Sequence, residues 1–172
     1  MQELIKLFKN HFSKKGDYIK TIRDLKHQRE NWFLVEIIKS LEDNKIPLTD
    51  QYSYDGVKGK IDIFIEHNNE KYFIELKHYV DEDKAQPYPL RTYLKKGNKQ
   101  YYENDLIKLS AIAKKGNANE KPIFLIFLTG SIDDKDKDEV VKFLERQKIQ
   151  DINLNFNYES LSVDLTILWF DF

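Results

Sequence analysis

The stretch PIFLIFLTG, residues 122 to 130, constrains the fold more than any other. It has no polar face to turn to water, so a strand built from it must be covered on both sides. That requires layers packed above and below a sheet, and a chain that supplies them. At 172 residues, with 41% hydrophobic and 33% charged side chains, this chain is long enough to do so as one soluble domain.

The flanking periodicities supply the layers. Residues 2 to 12 carry Leu4, Ile5, Phe8 and Phe12 at helical spacing. Gly16 and Asp17 break that helix, and a second is expected from about Tyr18 to Leu41, interrupted near His27. Its later half has an inward stripe of Leu34, Ile37 and Leu41, flanked by Phe33 and Ile38. Glu30 lies one turn before Leu34 on that stripe, and Glu36 points away from it.

A short strand is expected near Tyr52 to Tyr54, and a hairpin over 59 to 79. Residues 101 to 114 predict a helix facing inward through Leu106, Leu109, Ile112 and Ala113. Asp133 to Gln147 predicts a charged helix with Val140, Val141, Phe143 and Leu144 on its apolar side, followed by a final strand, LSVDLTILWF. The expected fold class is therefore α/β, one domain over 1–172. Residues 1–16 form an N-terminal helical extension and the core runs from about 28 to 170. Helices flank both faces of a central mixed sheet.

The hairpin carries the chemistry. Asn68-Asn69 suits a two-residue turn with positive φ. His67 then pairs with Glu70, and Asp62 falls opposite Glu75 in the same register. Lys77 projects from that face too, while Ile61, Ile63, Ile65, Tyr72, Ile74 and Leu76 share the other. Glu66 opposite Lys71 is an ordinary cross-strand pair near the turn. Two acids side by side near Phe64 and Phe73 repel and need a compensating cation. Lys77 supplies part of it, and Mg²⁺ or Mn²⁺ would supply more, because hard carboxylate oxygens favour such ions. Acid-x-Lys alone has little meaning in so charged a chain. Glu75–Lys77 differs from the other instances in sitting inside an apolar strand, after an acid-bearing one.

Gly59-Lys60-Ile61-Asp62 followed by Phe73-Ile74-Glu75-Leu76-Lys77 resembles the signature of the restriction-endonuclease-like, or PD-(D/E)xK, phosphodiesterase superfamily. Ile61 stands where many members have proline. The resemblance covers roughly residues 28 to 130 and implies a restriction-endonuclease-like αβα sandwich. It implies an Mg²⁺- or Mn²⁺-dependent endonuclease that hydrolyses DNA, in preference to RNA. Restriction, phage defence and mobile-element processing are settings for such an activity. Asp62 and Glu75 are then metal ligands and Lys77 the catalytic lysine. A glutamate from the preceding helix completes the set, with Glu30 first choice and Glu36 second. The alternative is a catalytically inactive module of the same fold that binds nucleic acid or a protein partner. Asp105 with Lys108 is similar to a polar pattern that members carry on the helix after the lysine, and an i, i+3 salt bridge accounts for it equally well.

The formal net charge of −1 exerts no global pull on nucleic acid, so contact would rest on a local patch. Arg91, Lys95, Lys96 and Lys99, interleaved with tyrosines, together with Lys108, are the candidates. No histidine pair has zinc spacing, and the absence of cysteine removes thiolate chemistry and suits a reducing cytoplasm. No apolar run approaches the roughly 18 residues of a membrane span. The stripe Leu4, Ile5, Phe8, Phe12 suits docking onto the domain or onto a second copy, and a homodimer would pair two active sites.

Overall fold

The computed structural model describes residues 1–24, 29–80, 94, 102–129, 132–149, 152, 154–162 and 165–172. In chain order the elements are α1 (Gln2–Phe12), α2 (Gly16–Asp24), α3 (Arg29–Asp43), β1 (Leu48–Tyr52), β2 (Ile61–His67), β3 (Glu70–Val80), α4 (Glu103–Lys115), β4 (Glu120–Thr129), α5 (Asp134–Ile149), β5 (Asn155–Ser162) and β6 (Leu165–Asp171). One open six-stranded sheet has the order β1-β2-β3-β4-β6-β5. Only β3 and β4 run parallel; every other neighbouring pair is antiparallel. The protein is thus α/β, a mixed sheet with helices on both faces.

β4 behaves as its composition demands. Every residue from Pro122 to Thr129 is buried. Ile123, Leu125 and Phe127 enter a core on one face with α1, α2 and α3, whereas Phe124, Ile126 and Leu128 enter a second core with α4 and α5. α1 belongs to the first of these cores. Leu4, Ile5, Phe8 and Phe12 are 0–2% exposed, and Phe12 packs against Phe33 and Phe127 at ring distances of 5.8 and 5.2 Å. The stripe is consumed inside the domain, so the homodimer expectation loses the surface that suggested it.

Where sequence periodicity misplaced an element, the cause is local. The first strand lies at Leu48–Tyr52, not at Tyr52–Tyr54, because its middle residues are exposed on a sheet edge and leave no apolar signal. Tyr54 instead donates from its hydroxyl to Glu120 Oε2 at 3.0 Å. The last expected strand is the hairpin β5–β6; β5, the other edge, is too polar to read as a strand. On α4, Ser110 is buried and Ala113 is exposed. On α5, Val141 is 54% exposed while Val140 and Phe143 are buried. The long second helix is two, α2 and α3, with His27 outside the described residues.

Candidate active site

The turn between β2 and β3 forms as its two asparagines predict. Asn68 and Asn69 take φ of 52° and 63°, and His67 pairs with Glu70. The register then continues through Glu66–Lys71 to Ile63–Ile74 and stops one step short of Asp62 and Glu75. There the Asp62 side chain intervenes: the Leu76 N–H donates to Asp62 Oδ2 at 2.9 Å. The β1–β2 ladder also lacks a pair at this step, where Gln51 adopts a left-handed φ of 49° and approaches Asp62 Oδ1 at 3.5 Å. Ile61, expected beside Ile63 and Ile65, packs in the second core with Phe73, because the strand departs from its regular alternation at this break.

Glu75 is 1% exposed on the α4 side of the sheet. Lys108 of α4 reaches it, and the Nζ lies in close charge contact with Oε1. That oxygen is fully buried. Burial above all, then repulsion from Asp62, raises the Glu75 carboxyl from its ordinary 4.5 to about 8; Lys108 opposes this without outweighing it. Lys77 Nζ stands 3.1 Å from Asp105 Oδ2 and 3.4 Å from Glu30 Oε1. Burial works against its charge, but Glu30 and Asp105 outweigh burial and hold the ammonium above the ordinary lysine value. Glu30 is itself raised, by burial and by its acidic neighbours Asp62 and Asp105, despite Lys77.

Asp105 is the residue that sequence reasoning left at the margin. One of its oxygens takes Lys77, and the other takes Lys108 at 3.2 Å. The signal was present: Asp105 and Lys108 alternate with the inward residues Leu106 and Leu109, which turns their side chains along the rim of the buried face. Lys108, grouped by sequence with basic residues for phosphate contact, points into the cluster. It donates to the Lys60 carbonyl at 3.0 Å, and Gly59 lies against its stem with a φ of 94° that favours glycine. Arg91, Lys95, Lys96 and Lys99 lie outside the described residues.

Glu36 is excluded from this cluster. It is buried under the first helices, with His11 Nε2 at 2.6 Å and Lys15 Nζ at 3.2 Å. Burial pushes its carboxyl upward, but the bonds from His11 and Lys15 outweigh that and hold it below the ordinary value. The expectation that Glu36 points away from the core is therefore corrected. α1 and α2 cover the side of α3 that a single-helix projection leaves to solvent. His78 faces the opposite side from Lys77, as expected, stacked on Phe33 at 4.7 Å.

The cluster thus holds four carboxylates, Glu30, Asp62, Glu75 and Asp105, against two ammonium groups, Lys77 and Lys108. Among the described residues, no three acids or histidines are already gathered tightly enough to hold a metal ion. The surplus of acid shapes stability. Below about pH 4.5 Glu75 is protonated in both the folded and unfolded chain; between 4.5 and about 8 only the unfolded chain releases its proton. Stability is therefore expected to fall as pH rises through that window. Urea unfolding at pH 5 and pH 8 should show the loss in the native chain and a clearly smaller one in Glu75→Gln; equal slopes would remove Glu75 as its cause.

No protein-family model, curated protein or solved structure matches the chain. Among the described residues, no helix is long and apolar enough to cross a membrane.

Proposed function

We propose that the chain is a metal-dependent nuclease of the restriction-endonuclease-like fold that hydrolyses DNA. The observation that carries this reading is a buried acid, Glu75, raised by its burial and then by a second acid, Asp62, with Lys77 two residues along the same strand. A sheet gains nothing from setting a half-buried acid against a buried one, so the arrangement asks for a ligand that rewards it. The donor set fits Mg²⁺ or Mn²⁺: Glu75, Asp62 and Glu30 offer hard oxygens, and the upward shifts of Glu75 and Glu30 mark a site short of positive charge. Such an ion, when bound, polarises a phosphoryl oxygen and makes a bound water more acidic.

The chain's own groups do the rest. Lys77 is held charged by Glu30 and Asp105, so it acts as a donor rather than as a general base. It orients the attacking water and stabilises charge that develops on the phosphate. Asp62 is fixed by the Leu76 N–H and Glu75 by burial, so neither acid has far to move. Arg91, Lys95, Lys96 and Lys99 are proposed to hold the DNA backbone in the cytoplasm of the source cell.

Incubation of plasmid and linear DNA with the native chain tests the reading directly. Cleavage is expected with Mg²⁺ or Mn²⁺ and none with EDTA. Intact DNA under every condition would leave the second reading, a module that binds nucleic acid or a protein without cutting. The pairing of both lysines with acids is the observation on that side, since a structural ion cluster would show the same salt bridges.

A further inference from the structure

Lys108 is placed as a cation would be. Its Nζ meets Glu75 Oε1 at the buried end of the site. Two other partners, Asp105 Oδ1 at 3.2 Å and the Lys60 carbonyl at 3.0 Å, lie outside that contact and remain if it breaks. The lysine stem is flexible and carries a single compact charge, which suits a group that occupies a position and then vacates it.

We propose that the Lys108 ammonium is an internal counter-ion at Glu75, and that divalent-cation binding is an exchange in which Lys108 leaves Glu75 and stays with Asp105 and the Lys60 carbonyl. The proposal rests on the metal-dependent reading above. An ammonium and a divalent ion repel, so they do not share one carboxylate oxygen. Lys108 therefore weakens the first binding event, holding at the buried end of the site the place that an ion would take. Asp105 links this exchange to the reacting lysine, because its other oxygen holds Lys77. Lys108 is thus a positioning residue, acting through Glu75 and Asp105.

Calorimetric titration with Mn²⁺, without DNA, tests this on the native chain, Lys108→Gln and Lys108→Arg. Lys108→Gln is expected to bind Mn²⁺ at least about tenfold more tightly than the native chain, since one like charge is removed beside the ion. Lys108→Arg retains the charge and should stay near the native affinity. Equal or weaker binding by Lys108→Gln would overturn the exchange while leaving the metal site standing. Absence of Mn²⁺ binding in all three would overturn the metal reading and the exchange with it.

A second measurement needs no substitution at all. In an Mg²⁺ titration of the native chain followed by NMR, the Lys108 side-chain methylene signals should shift with the calorimetric midpoint. Signals that stay fixed while Mg²⁺ binds would equally reject the exchange.

Discussion

Lys77→Ala is expected to lower Mg²⁺-dependent DNA cleavage by roughly a thousandfold, the scale seen when a preorganised donor is removed from a charged transition state. The reason lies in the pairing. The ammonium is held by Glu30 and Asp105, so its position costs no reorganisation when negative charge develops. Alanine removes the donor and leaves the two acids facing each other. Glu30 is about half exposed, which screens that repulsion and keeps the fold intact. Initial rates on supercoiled plasmid, with the melting transition as a folding control, separate the two effects. A variant that cuts at the native rate would remove Lys77 from the mechanism, whatever the metal requirement.

Removal of residues 1–16 is expected to abolish cooperative folding. Leu4, Ile5, Phe8 and Phe12 are buried, and each contributes roughly 1.5–3 kcal/mol on a burial scale. Together they approach the whole stability of an average domain, about 5–15 kcal/mol. The truncation also takes His11 and Lys15 from Glu36, which leaves a buried carboxylate without its partners. Circular dichroism during heating is the check. A sharp transition near the native midpoint would show that α1 is an appendage after all.

How far the sequence could be read depended on where each residue's partners lay. The β2–β3 register was legible because everything that sets it is local: two asparagines at the turn and strict alternation on both sides. From it followed the nearness of Asp62, Glu75 and Lys77. β4 was legible because a strand covered on both faces has nothing polar to hide. The edges β1 and β5 were not, since an edge strand with a solvated face carries few apolar residues. Glu36 was misread for a related reason: helical projection describes one helix, and its true surroundings come from α1 and α2. The pairing of Lys108 with Glu75 was not legible, because a count of basic residues cannot tell a solvated lysine from one drawn to a buried acid far earlier in the chain.

The break in both ladders at Asp62 has a consequence for how the molecule tolerates change. Hydrogen bonds that would knit β2 into the sheet are given over to a carboxylate, and Gln51 is held in a conformation rarely adopted outside glycine. The surplus stability comes from elsewhere, above all from β4. Mutational tolerance should therefore divide along the sheet. Substitutions between Pro122 and Thr129 should lower the amount of folded protein, whereas neutral replacements of the clustered acids should leave that amount unchanged or raise it. A scan that reads cellular abundance would show the two strips side by side: one where selection protects the fold, and one where it spends stability to keep a function.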